Sequence, residues 1–143
     1  MIRTQPLVTK LNGDKVVIVP TFVQPATQPA GVVARKIVAD EGDPHFEPLW
    51  EAPDFGSDEA RQRFRGYPSL PFLTTAPNGE SYVWIVDTTE ENDTLIGIRA
   101  ADGTIVVRQQ LQGTVDTVRP GHRDAIIYTT ARGGILEAFR IRY

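Results

Sequence analysis

The constraint that bears hardest on this chain is a layout that recurs within it. Ser81–Leu111 and the shorter Asp124–Tyr143 each give an apolar strand, a polar turn, and a second strand that opens on leucine or isoleucine and ends in charge. A strand-and-turn unit of that kind cannot bury both faces alone, so its copies stack on one another. The copies are also few, too few to close a ring.

Turn chemistry sets the frame around these units. Eleven prolines and twelve glycines leave few windows long enough for a helix, and the Val, Ile and Thr between them favour short strands. Strands are expected at Pro6–Leu11, Lys15–Val19, Gly31–Asp40 and Phe46–Trp50, then from Phe72 and over Ser81–Asp87, Thr94–Ala100 and Thr104–Leu111. Val115–Val118, Asp124–Thr130 and Ile135–Ile141 complete the series. Asn12-Gly13-Asp14, Pro77-Asn78-Gly79, Ala101-Asp102-Gly103 and Gly133-Gly134 mark the turns between them. Lys15–Val19, KVVIV, reads as a strand buried on both faces. Phe22–Ala30 reads as a loop, because its prolines and glutamines do not suit a ladder. One helix is expected, over about residues 56–66. Ser57 caps it, Asp58 and Glu59 occupy its first turn, Arg61, Arg63 and Arg65 lie toward its end, and Gly66 stops it.

Three units follow, at about residues 5–51, 68–111 and 114–143, in a single all-β domain. Ile18-Val19, Ile85-Val86 and Ile127-Tyr128 align as their central strands. The second and third anchors lie 42 positions apart (127 less 85), within the blade length of propeller repeats, about 40–50 residues. The first and second lie 67 apart (85 less 18), an excess that the proline-rich loop and the helix account for as insertions.

Thr94–Arg108, TLIGIRAADGTIVVR, resembles the "gxLyAlda.dGkvlW" segment of quinoprotein-like (PQQ-like repeat) β-propeller blades. Gly134–Phe139 is similar, and Gly31–Trp50 looks like a degenerate version. The resemblance covers most of the chain outside residues 52–66. It implies about three antiparallel blades in an incomplete ring, with leucine and alanine packed between blades and a tryptophan ending the outer strand. Trp50 stands at that place in the first unit, Arg108 or Gln109 in the second, and the third unit stops before it. In a fragment of such a protein the resemblance implies a periplasmic or extracellular setting. A β-sandwich is the structural alternative, since strand spacing alone does not separate the two.

Composition narrows the partners. A net charge of −3 argues against a nucleic-acid surface, which needs concentrated Lys and Arg. Without cysteine there is no disulfide, thiolate metal site or thiol nucleophile. No run approaches the roughly 18 apolar residues of a membrane helix, and MIRTQPLVTK lacks a signal-peptide core.

Catalytic chemistry finds little to work with. Asp43, His45 and Glu47 would share one face of a strand, but Pro44 and the adjoining turn work against a metal site. His122 sits in a Pro-Gly turn. Ser57, Ser69 and Ser81 lack the strained elbow of a serine nucleophile. Asp87, Glu90 and Glu91 read as a solvated loop, and Asp102-Gly103 lacks the calcium-loop signature. No cofactor is expected from the residues themselves. Trp50, Tyr67, Tyr82 and Trp84 are the candidate ligand or partner surface, with interior packing as the competing reading.

Three functions remain open. The leading one is a non-catalytic propeller segment serving as a binding or assembly module, its partner a protein or further blades, whether by self-association or from a missing upstream part. The second is a C-terminal fragment of a propeller enzyme, a quinone-dependent dehydrogenase or a glycan-processing enzyme. The third is a carbohydrate-binding or adhesion sandwich.

Overall fold

A computed structural model of the chain describes residues 6–21, 31–39, 42–52, 71–87, 93–113, 115–121, 126–131 and 133–143. It holds eleven strands: β1 (Leu7–Leu11), β2 (Asp14–Thr21), β3 (Gly31–Val38), β4 (His45–Ala52), β5 (Phe72–Thr75), β6 (Ser81–Asp87), β7 (Thr94–Arg99), β8 (Ile105–Gln110), β9 (Val115–Pro120), β10 (Ile126–Ala131) and β11 (Ile135–Arg140). All eleven fall where the turn signals place them. Among the described residues there is no helix, and the one expected at 56–66 lies outside them.

The strands form three open antiparallel sheets. Sheet 1 has the order β1-β2-β3-β4, sheet 2 β5-β6-β7-β8, and sheet 3 β9-β10-β11. Each strand therefore pairs with its neighbour in sequence, as hairpin-scale turns require. Asn12 (φ 51°) and Gly13 (φ 90°) both take the left-handed conformation between β1 and β2. A two-residue turn of that type matches the twist of the strands it joins.

Two apolar clusters hold the sheets face to face. The first joins Val16, Ile18, Val32, Ala34 and Trp50 of sheet 1 to Val83, Ile85, Ile96 and Ile98 of sheet 2. The second joins Trp84, Val86 and Leu95 of sheet 2 to Val118 and Ile127 of sheet 3, with Phe72 and Phe139 against it. Sheet 2 is thus covered on both faces, which is why β6 and β7 are apolar at nearly every position. Sheets 1 and 3 use one face each.

The expectation that β2 is buried on both faces is corrected here. Val16 and Ile18 are fully buried against sheet 2, whereas Val17 and Val19 are only partly buried. Their side of sheet 1 carries no further sheet among the described residues.

Register also corrects the internal alignment. In sheet 1, Leu7, Ile18, Ala34 and Trp50 stand side by side across four strands. In sheet 2 the matching row is Phe72, Trp84, Gly97 and Val107. Both rows point toward the next sheet in the chain. A bulge follows each row at the same place, between Ala34 and Arg35 and between Gly97 and Ile98. Ile18 therefore corresponds to Trp84, not to Ile85, which points the opposite way. Val107, rather than Arg108 or Gln109, occupies the place of Trp50. A strand alternates faces at every residue, so a slip of one position inverts the reading.

Candidate functional site

The four aromatic candidates separate once their surroundings are known. Trp50 closes the row across sheet 1, and only 7% of its surface is exposed. Its Nε1 donates to the carbonyl oxygen of Ala100, at 2.8 Å, and its ring lies on Gly103 in the turn between β7 and β8. Trp84 is equally interior, on the opposite face of sheet 2. Its Nε1 donates to Thr74 Oγ1 at 2.8 Å, and its ring covers Gly97. A buried indole needs an acceptor for its one donor, and both have one. Held this way, neither tryptophan offers a ring face to a ligand. Both serve the contacts between sheets.

Tyr82 is half-buried on β6. Its hydroxyl donates to Glu80 Oε2 at 2.9 Å, and its ring lies 5.4 Å from that of Tyr143. The Glu80 carboxylate beside it pushes its hydroxyl pKa up, because the neutral phenol is the form that donates. Tyr143 in turn donates to Thr74 Oγ1 at 2.9 Å, which pins the residues after β11 against sheet 2. Tyr67 lies outside the described residues.

The other polar candidates do not converge. His45 Nε2 lies 3.5 Å from Glu47 Oε1, so alternation does bring that pair together, but both side chains are more than half exposed. Asp43 meets the His45 ring through its backbone carbonyl rather than its carboxylate. Among the described residues no three His, Asp or Glu side chains are grouped to hold a metal ion. Ser81 exchanges a hydrogen bond with Thr75 at 3.2 Å. Asp102 is occupied in its own turn, accepting from the Thr104 amide and from Arg99. His122, Ser57, Ser69, Glu90 and Glu91 lie outside the described residues. No helix among the described residues is long and apolar enough to cross a membrane.

What remains available are faces and an edge. Register places Val8, Val17, Val19, Val33, Ile37 and Phe46 on the side of sheet 1 away from sheet 2. Val8 is 62% exposed and Phe46 65%. An Arg35–Glu51 ion pair at 2.6 Å crosses the same face. The far side of sheet 3 presents Tyr128 beside Arg119 and Ala138, and Leu136 beside Thr130. There Gly121 lies under the Tyr128 ring. The third sheet has three strands where the others have four, so β11 pairs with β10 alone among the described residues.

Sequence reading missed the half-open face because Val16–Val19 is apolar at every position and names no side. The loose alternation of β1, which pairs with β2, was the available clue. In comparisons with known proteins, no family model, no curated protein and no solved structure matches the chain.

Proposed function

We propose that this chain is a β-propeller segment that works as a non-catalytic assembly module, its end sheets packing against further sheets of the same kind. One observation carries the reading: on the side of sheet 1 away from sheet 2, where no further sheet lies among the described residues, β2 and β3 set aliphatic side chains much as sheet 2 does where it meets sheet 1. Sheet 2 meets sheet 1 through Val83 and Ile85 on its second strand and Ile96 and Ile98 on its third. Sheet 1 sets Val17 and Val19 on its second strand and Val33 and Ile37 on its third, in the same orientation within the series. Val8 and Phe46 are exposed on that face, Val17, Val19, Val33 and Ile37 are partly buried, and the Arg35–Glu51 pair crosses among them; apolar surface that reaches water in this way marks an interaction surface.

Three further features support a blade-like arrangement. The sheets are meanders of four, four and three strands stacked in chain order, the first strands of sheets 2 and 3 approach one another, and the bulges of sheets 1 and 2 fall at equivalent places. Propellers are built from such sheets around an axis, typically four to eight of them. The partner in this reading is protein: more blades, from another copy or another chain.

Light scattering on the isolated chain tests the proposal. Association through the end sheets gives a mass above that of one chain. A well-folded monomer that binds no partner contradicts it.

A further inference from the structure

β11 is an outer strand of sheet 3, and its side chains reach water: Leu136 is 68% exposed, and Ile135, Ala138 and Arg140 are exposed with it. The other outer strands carry features that discourage a further strand. β4 holds Pro48 and pairs through a bulge, β8 also pairs through a bulge, and β9 has both Pro120 and a bulge. β1 and β5 are shorter, at five and four residues. Edges are commonly protected in these ways, because unpaired backbone groups recruit strands. β11 has six residues, all paired in register with β10, and neither a proline nor a bulge.

The third strands of the three sheets share one pattern on the side that looks along the stack. β3 gives Val32, Ala34 and Lys36 there, and β7 gives Leu95, Gly97 and Arg99. β11 repeats it with Leu136, Ala138 and Arg140. In sheet 1 the fourth strand answers each position: Glu47 stands opposite Lys36, Trp50 opposite Ala34 and Ala52 opposite Val32. In sheet 2 Val107 stands beside Gly97, and Asp102 meets Arg99 at 3.1 Å. Thus a carboxylate answers the cation and a larger apolar side chain lies beside the small residue. Sheet 3 has the first half of this arrangement and no described strand beside it. The Tyr128 ring turns onto Gly121, and Ala138 stays exposed.

β11 is also held in place. Glu137 Oε2 accepts from the Gln112 amide at 3.1 Å, and Tyr143, just past its end, binds Thr74. A strand fixed in advance loses little freedom when another joins it.

We propose that β11 accepts an extended segment of a partner protein as a fourth, antiparallel strand, whose sequence reads acid-x-aromatic-x-aliphatic from its N-terminal end. The acid meets Arg140, the aromatic ring lies beside Ala138, and the aliphatic side chain packs on Leu136. Backbone pairing supplies affinity, and the alternate side chains supply the choice of sequence. This edge lies apart from the outward face of sheet 1 and works independently of it.

A blocked synthetic peptide, Thr-Glu-Thr-Trp-Thr-Val-Thr, is the probe, titrated into the isotope-labelled full chain. It produces saturable NMR shifts on the amides of Ile135–Arg140 and slows their exchange with water. Alanine in place of its tryptophan weakens binding about tenfold, as expected for the one large anchor. Lysine in place of its glutamate weakens binding several-fold, and Arg140→Glu in the chain reverses that preference. Proline in place of the two threonines beside the tryptophan abolishes binding, because the backbone pairing is lost. Ala138→Leu occupies the space meant for the ring and weakens the peptide, with unchanged sheet 2 resonances showing that the variant is folded. Val17→Lys with Val19→Lys, on sheet 1, binds as the wild type does, which separates this result from that of the assembly face. No saturable shift, shifts centred on another sheet, full binding by the proline peptide or by Ala138→Leu, or a preference that Arg140→Glu leaves unchanged overturns the proposal.

Discussion

Trp50 and Ala100 are 50 positions apart in the chain, yet the indole nitrogen of one sits 2.8 Å from the carbonyl oxygen of the other. This bond fastens the last strand of sheet 1 to a turn of sheet 2, and the same ring rests on Gly103. The contact between the sheets is therefore directional as well as apolar.

Trp50→Ala removes the largest side chain at that boundary and leaves a cavity. It should cost about 3–5 kcal/mol, and Trp50→Phe, which keeps much of the volume but no donor, distinctly less. Urea unfolding of the two variants checks the order. An equal loss in both would mean that the hydrogen bond, not the packing, holds the sheets.

Gly103 and Gly97 allow a sharper comparison. A Cβ on Gly103 would come within 2.7 Å of the Trp50 ring, and φ there is +77°. A Cβ on Gly97 would come equally close to Trp84, but its backbone is ordinary. Gly103→Ala should therefore stay destabilising by about 1 kcal/mol even beside Trp50→Ala, because its backbone strain persists. Gly97→Ala should lose part of its cost beside Trp84→Leu, the remainder being set by Val107 Cβ, which lies 3.0 Å from the same position. Double-mutant cycles read the two couplings directly. Additive behaviour at Gly97 would show that ring contact is not what excludes a side chain there.

Acid should loosen one end of the stack. Hydrogen bonds from Asn78 and Tyr82 lower the Glu80 pKa below 4.5, and bonds from Thr104 lower that of Asp102 below 3.8. A carboxylate whose folded pKa is depressed contributes stability above its unfolded value and loses it as pH falls through the folded one. The window therefore opens near pH 4.5 and extends below 3.8. Both groups are exposed, so the effect is small and screened by salt. Carboxyl carbon shifts followed by NMR should give midpoints below those values, and Asn78→Ala should raise that of Glu80. Midpoints at or above the ordinary values would remove the network from the account.

The strands were legible because glycine, proline and asparagine punctuate them so closely. The positions of Asn12-Gly13 and Gly103 required left-handed backbone, and both turns formed there. The sense of each strand was harder to read. Leu49 and Val106 are the extra residues at the two bulges, and each reverses the alternation of the residues after it. Periodicity alone does not register such an insertion, so Ile18 and Ile85 looked equivalent while facing each other across the boundary. The open edge at β11 was invisible for a different reason. The likeness of Leu136-Glu137-Ala138 to Leu95-Ile96-Gly97 is local, but which strand has no fourth neighbour among the described residues depends on pairings along the whole chain.

The central claim concerns the face of sheet 1 turned away from sheet 2, and its most direct test is sedimentation velocity over a range of concentrations. The wild-type chain should sediment as a species heavier than its 15.8 kDa monomer, growing with concentration. Val17→Lys combined with Val19→Lys places two charges on that face without touching the cluster formed by Val16 and Ile18. It should return the chain to a folded monomer with unchanged circular dichroism. A wild-type chain that stays monomeric and folded throughout and binds no partner, or a double variant that assembles as before, would contradict the account.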